Sequence, residues 1–348
     1  MNYNLIKTIL FNFQPETAHN ITEFFLKNSP DFVLNSLKRD YFIEDESLKQ
    51  SILGIDFLNP VGIGAGFDKN ATMVKAINAM GFGFAEVGTI TPKPQEGNLK
   101  PRMFRYPEYK SVQNAMGFNN AGAELIYENI KKLIPYSYPL GINIGKNKLT
   151  SEENAIKDYE YLIDKFEALS DYLVINISSP NTPNLRDLQN EAFLKELFSL
   201  AKERTKKPIF LKIAPDMSET DAINISTFAT DAGASGIIAT NTTTNYSLIE
   251  NAKDFGGVSG SVLKEQSFKI FKALAKELYG KTILISVGGI DSADEAYKRI
   301  LHGASLIQIY SNLIFDGPEL IKSINLGLIE RLKADGFKNI SEAIGAKL

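Results

Sequence analysis

Lys212 stands inside an otherwise apolar run, Ile209-Phe210-Leu211-Lys212-Ile213. An ammonium in a buried strand needs a partner or a task, because burying it unpaired is costly. Two tasks fit: a Schiff-base nucleophile, or a fixed cation beside an electron-rich ring. Asn114, Asn176, Asn181 and Asn241 lie at the ends of similar runs or in the loops between them. Each carboxamide offers one acceptor and two donors, so the set suits a ligand edged by alternating N–H and C=O, such as a pyrimidine ring. Lys69, in Phe67-Asp68-Lys69-Asn70, offers a cation for a substrate carboxylate. Two glycine-rich turns, Gly256-Gly257-Val258-Ser259-Gly260 and Val287-Gly288-Gly289-Ile290, let backbone N–H groups approach a phosphate.

These residues need a scaffold that brings them together. Eight short apolar runs recur at 60–66, 84–89, 140–145, 172–178, 208–214, 236–242, 283–289 and 306–311. They are rich in Val and Ile and do not alternate, as expected of strands buried on both faces. Helical stretches separate them. One begins at Thr150-Ser151-Glu152-Glu153, which has capping-box spacing, and continues with Ile156, Tyr159, Ile163 and Phe166 at helical period. Eight parallel units in about 250 residues predict an α/β fold, a (β/α)8 TIM barrel, over an open doubly wound sheet. The run ends are small or polar: Ala65, Gly66, Thr89, Asn143, Asn176, Lys212, Thr240, Asn241, Gly288, Gly289, Tyr310 and Ser311. Barrel active sites form at the C-terminal strand ends, with phosphate commonly held after strands seven and eight. A large polar ligand is therefore expected on that face. Long insertions after the second and sixth runs belong to the same face.

Residues 1–40 lie outside this repeat. Leu5, Ile6, Ile9, Leu10 and Phe13 form one helical stripe, Pro15 and Glu16 open a second helix, and Phe32, Val33, Leu34 and Leu37 follow Pro30. Three short amphipathic helices are expected, either packed on the barrel or forming a monotopic membrane contact around a channel for an apolar ligand. Residues 41–59 read as a β-hairpin closing the barrel bottom, with Gly54 near its turn. The expected division is 1–40, a helical domain, and 41–348, the barrel.

Composition narrows the chemistry. The 348 residues include no cysteine and only two histidines, His19 and His302. That excludes thiolate nucleophiles, iron–sulfur ligation and cysteine zinc sites within this chain, and no metal is expected. A net charge of −3 argues against nucleic-acid binding. No run approaches the ~18–20 apolar residues of a membrane span. No secretion signal is expected either, since Lys7 and Asn12 interrupt the first apolar stretch.

Six motifs occur in order: Gly64-Ala65-Gly66-Phe67-Asp68-Lys69-Asn70, Asn114-Ala115-Met116-Gly117-Phe118-Asn119-Asn120, Asn176-Ile177-Ser178-Ser179-Pro180-Asn181, Lys212-Ile213-Ala214-Pro215-Asp216, Ala239-Thr240-Asn241-Thr242-Thr243 and Ser286-Val287-Gly288-Gly289-Ile290. With Pro15-Glu16-Thr17-Ala18-His19 before them, the set resembles the class 2, quinone-dependent dihydroorotate dehydrogenases along the whole chain. The resemblance implies one FMN per chain, held by Ala65, Gly66, Thr89, Asn143, Asn176, Lys212, Thr240, Gly260, Gly289, Tyr310 and Ser311. It implies dihydroorotate bound by Lys69, Asn114, Ala115, Met116, Gly117, Phe118, Asn176, Asn181, Asn241 and Thr242. Ala115 departs from the family pattern, in which arginine is common.

Ser179 occupies the position of the catalytic base, where class 1 relatives usually carry cysteine. The implied step removes a proton from substrate C5 as hydride leaves C6 for flavin N5, giving orotate in pyrimidine (UMP) biosynthesis. His19 and Arg105 match positions beside a membrane-quinone passage. The implied location is peripheral, on the cytoplasmic side of the cell membrane, and the expected state is a monomer. Two alternatives differ in chemistry: a Schiff-base aldolase using Lys212, and a non-catalytic binder of a phosphoribosyl ligand. Flavin absorbance separates the first from the flavoenzyme, and turnover separates the second.

Overall fold

In a computed structural model, which describes residues 3–348, the apolar runs close into a parallel barrel. Three helices precede it: α1 (Tyr3–Leu10), α2 (Pro15–Lys27) and α3 (Asp31–Tyr41). Pro15 opens α2 at a position where its missing N–H costs nothing. α1 is tied down by Tyr3 Oη, which donates to the Ile314 carbonyl at 2.7 Å, and by Lys7 Nζ, which donates to the Phe315 carbonyl at 2.9 Å. α3 buries Leu37 and Tyr41 against Ala79.

Strands β1 (Gln50–Ile52) and β2 (Ile55–Phe57) then form an antiparallel hairpin. Its turn places Leu53 and Gly54 at φ 54° and 77°, the left-handed pair that suits the twist of two-residue hairpins. Ile52 and Phe57 pack on Phe84, Tyr172, Phe210, Ile238 and Leu306, closing the barrel bottom.

β3 (Val61–Ile63) and β4 (Phe84–Ile90) begin the barrel. β5 (Met103–Tyr106) and β6 (Ser111–Asn114) leave it as an antiparallel pair. β7 (Leu140–Ile144), β8 (Tyr172–Asn176), β9 (Ile209–Ile213) and β10 (Gly236–Ala239) continue the barrel. β11 (Gly257–Gly260) joins β6, so the two long insertions meet in one three-stranded sheet. β12 (Ile283–Val287) and β13 (Leu306–Ile309) complete the barrel, and β13 pairs with β3. β4, β7, β8, β9 and β10 are buried at every position, which explains why their sequences do not alternate.

Register decides what shares a level. Asn176 on β8 lies opposite Lys212 on β9. The β4–β7 ladder shifts between Val87 and Ile90, an irregularity that re-aims Thr89 at the strand end.

The capping box at 150–153 does not form. A single 3₁₀ turn, Glu152–Asn154, precedes the helix Ala155–Phe166, and neither Thr150 nor Ser151 caps it. Lys146 Nζ takes the Thr150 carbonyl at 2.8 Å, and Asn154 Nδ2 takes the Ser151 hydroxyl at 3.0 Å. These local partners engage the segment that a cap would need.

Candidate active site

A cavity opens over the C-terminal strand ends and holds about 1170 Å³ of atom-free space, its mouth included. Glu86 on β4 lies beneath its floor, fully buried. It is the partner of Lys212, whose Nζ stands 3.4 Å from Glu86 Oε1. Asn143 Nδ2 donates to the same oxygen at 2.7 Å, and Gln308 Nε2 donates to Oε2. Thr89 Oγ1 donates to Asn143 Oδ1 at 2.6 Å, and Asn176 Nδ2 donates to Thr89 Oγ1 at 2.9 Å. Asn241 Nδ2 donates to Ser178 Oγ at 2.9 Å. Lys212 thus sits in a buried ion pair rather than as the unpaired amine that attacks a carbonyl.

One end of the cavity gathers the remaining amides. Asn181 Nδ2 donates to the Asn114 carbonyl at 3.2 Å and to Asn114 Oδ1 at 3.3 Å. Lys69, Met116, Gly117, Phe118, Asn176, Asn241 and Thr242 line the same space. Ser179 does too, and is itself almost fully buried. Its Oγ accepts the Asn181 N–H at 3.2 Å, and among the described residues no carboxylate or imidazole is bonded to it. Arg186 fixes this loop: Nε donates to the Ser178 carbonyl at 2.9 Å, Nη2 to the Thr242 carbonyl at 3.0 Å, and Nη1 to Asp216 at 2.8 Å. Burial alone would raise the Asp216 pKa, but hydrogen bonds from Thr243 and Arg186 outweigh it and hold the carboxyl below its ordinary range.

The other end holds Gly260, Gly289, Tyr310 and Ser311 together. Ser311 Oγ donates to Ser259 Oγ at 2.8 Å. Gly289 has φ +72°, and a Cβ there would lie 2.4 Å from Lys264 Cα, so only glycine fits. The buried Arg299 braces this turn through the Gly288 carbonyl at 3.2 Å and the Lys264 carbonyl at 2.9 Å.

Residues 47–332 match the family model described as Dihydroorotate dehydrogenase, more than half of the chain. The chain belongs to the dihydroorotate dehydrogenase family. A protein of Nitratiruptor sp. named dihydroorotate dehydrogenase (quinone) is 62% identical over 347 residues, 99% of each chain. One of Sulfurovum sp. with the same name is 58% identical over 99% of this chain and 98% of its own length. The crystal structure of DHODH from Eimeria tenella in complex with ferulenol superposes with a TM-score of 0.87, at 36% identity and 95% coverage of both chains. Dihydroorotate dehydrogenases are flavin-dependent, and the aldolase alternative is not favoured.

Set against the residues expected of a dihydroorotate dehydrogenase, two do not line the cavity. Asn143 lies below the floor, between Glu86 and Thr89. Ala115 is buried, with its N–H on the Arg102 carbonyl at 2.8 Å and its carbonyl on Asn98 Nδ2 at 3.0 Å. Its side chain has no polar atom to offer, so the neighbours Asn114 and Met116 carry the loop's contribution.

Neither His19 nor Arg105 lines the cavity. The His19 ring meets Phe67 edge-on at 5.7 Å, and Phe67 meets Tyr310, on the cavity wall, at 5.9 Å. Burial, then the Lys69 charge, pushes the His19 pKa down to about 3, so its imidazole is neutral at physiological pH. Arg105 faces a second recess beneath the α1–α2 turn, with its guanidinium 3.9 Å from the Phe11 ring centre and Nη2 on the Phe13 carbonyl at 3.0 Å. Met103 lines both recesses. The sequence reading missed Glu86 and Gln308. Each is a polar residue inside an apolar run, the signal that Lys212 also carries.

Proposed function

We propose that this chain oxidises dihydroorotate to orotate in pyrimidine biosynthesis and delivers the two electrons to a membrane quinone. The observation that carries the reading is the convergence of Lys69, Asn114, Asn181, Asn241 and Ser179 on one cavity, with Lys212 on its floor paired to Glu86 beneath. A cation for a carboxylate and amides for a pyrimidine edge stand beside a hydroxyl.

The flavin assigned here is FMN, one per chain. Three buried polar atoms of cavity-lining residues have no partner among the described residues: Gln308 Oε1, Thr242 Oγ1 and Asn119 Oδ1. Such atoms are rare in a folded protein and call for a polar ligand. Ala65, Gly66, Thr89, Asn176, Lys212 and Thr240 would hold the ring system, and Gly260, Gly289, Tyr310 and Ser311 the phosphate arm. Asn143 would act through Thr89 and Asn176. When bound, FMN supplies the two-electron carrier between dihydroorotate and quinone. Ser179 Oγ takes the proton from substrate C5. A serine hydroxyl is a weak base, so its own proton moves on to a water or hydroxyl as it accepts the new one. Lys69 pairs with the substrate carboxylate, while the asparagines fix the ring.

Residues 1–40 form the membrane and quinone contact in this reading, with His19 and Arg105 beside the passage. No helix of the described residues is long and apolar enough to cross a membrane, and the contact we assign is peripheral, on the cytoplasmic side of the cell membrane. The protein acts as a monomer. The test is a visible spectrum: dihydroorotate should bleach a yellow protein, and a quinone analogue should restore the colour. A protein that cannot be loaded with FMN overturns the reading.

Substrate affinity should also weaken at alkaline pH. Burial holds the Lys69 pKa below its ordinary value, against the opposing pull of Glu23 and Glu16. The cation is present below that depressed pKa and lost as pH rises through it. The KM for dihydroorotate should therefore climb before pH reaches the ordinary lysine value of about 10.4. The Lys69→Arg variant should not show that climb. A wild-type kcat/KM flat throughout this range removes Lys69 from the carboxylate.

A further inference from the structure

We propose that Glu86 is a positioning residue that sets the donor and acceptor order of the whole cavity floor. The inference rests on the flavin reading above. Glu86 is fully buried and uses both oxygens, with donors reaching it from three other strands: Lys212 on β9, Asn143 on β7 and Gln308 on β13.

An ionised carboxylate only accepts, whereas a carboxamide presents either end and is oriented by its partner. Glu86 therefore obliges Asn143 and Gln308 to turn their NH2 groups towards it. For Gln308 this directs Oε1 to the other side, where it is buried, unpartnered and on a cavity-lining residue. For Asn143 it leaves Oδ1 to accept from Thr89 Oγ1 at 2.6 Å and Asn176 Nδ2 at 3.2 Å. Asn176, with its NH2 committed, keeps Oδ1 for Ser178 Oγ at 3.1 Å and Asn241 Nδ2 at 3.4 Å. A single charge thus dictates which face each amide shows, from β13 across to the loop after β10.

The same carboxylate balances Lys212, so the floor presents an ion pair of zero net charge. Stability alone gives little reason for such a pair, since buried pairs are often replaced by apolar side chains without loss.

Glu86→Gln tests this. The substituted carboxamide has one accepting and one donating end. It satisfies Asn143 only by turning its NH2 to Gln308, which reverses Gln308 and puts N–H groups where its unpartnered acceptor stood. FMN binding to the apoprotein should weaken about tenfold, the scale of one mismatched buried polar group. Lys212 would stand unbalanced, so the midpoint potential of the bound flavin should rise, because reduction adds negative charge nearby. A purely structural Glu86 would lower the unfolding temperature and leave the potential of folded, loaded protein unchanged.

If the single variant does not fold, Glu86→Gln with Lys212→Met removes both charges and leaves no lone ion. Lys212 itself would touch the flavin, so the comparison is with Lys212→Met alone: the double variant should bind FMN about tenfold more weakly than that variant, since only the Glu86 change reverses Gln308. Wild-type affinity and potential in the single variant, or a double variant that binds FMN as well as Lys212→Met alone, overturn the proposal. Wild-type protein that binds no FMN overturns the flavin reading instead.

Discussion

Ser179→Ala should slow reduction of the bound flavin by dihydroorotate about 10²–10⁴-fold, the usual contribution of a positioned acid–base group. The expectation follows from where Ser179 stands. Its hydroxyl belongs to an almost fully buried residue on the cavity wall, so bulk water has little access to do its work. No carboxylate or imidazole among the described residues backs it, and the loop is held rigid by Arg186. Alanine removes one oxygen and leaves those braces intact. It leaves the Asn181 N–H without its acceptor, a cost of about 1–3 kcal/mol that the barrel tolerates. FMN contacts do not involve Ser179, so the variant should remain yellow. Stopped-flow bleaching by dihydroorotate reads the rate, and dithionite checks that the flavin is still reducible. A wild-type bleaching rate removes Ser179 from the proton transfer.

The barrel was legible because its strands are buried on both faces, which writes non-alternating Val- and Ile-rich runs into the sequence. Their polar ends pointed to the ligand face for the same reason: a polar residue ending a buried run needs a partner. What the sequence does not specify is the partner. Glu86 and Lys212 are 126 residues apart, and only barrel closure brings β4 and β9 around the same interior. Asn143 shows the same limit. Its type and strand-end position suit ligand contact, but the shift in the β4–β7 ladder puts Thr89 above it. The failed cap at Thr150 is a more local case: Lys146 holds the Thr150 carbonyl and Asn154 the Ser151 hydroxyl, and the α-helix starts only at Ala155, after a 3₁₀ turn. Patterns governed by burial are therefore readable, while patterns governed by competition between polar partners are not.

The second large effect concerns α2 and α3. Replacing Phe24, Phe25 and Phe32 together by serine should lower vesicle binding more than tenfold and leave flavin reduction unchanged. These residues are 64%, 66% and 75% exposed, an arrangement that water disfavours, and Phe24 and Phe25 meet edge-on at 5.8 Å while staying on the surface. Full burial of such a side chain gains about 1.5–3 kcal/mol. Even half of the lower figure for each ring gives about 2 kcal/mol in all, or more than a tenfold change in partition. The basic and acidic residues of 1–40 balance, so attraction to anionic lipid should add little and salt should barely alter binding. The three rings are not among the cavity residues, which separates the two half-reactions. Dihydroorotate should still bleach the variant at the wild-type rate, whereas turnover with a quinone dissolved in vesicles should fall with the bound fraction. Turnover with a water-soluble quinone analogue should stay near wild type. Wild-type vesicle binding by the triple variant would place the membrane contact elsewhere and leave these helices as a cover for the barrel.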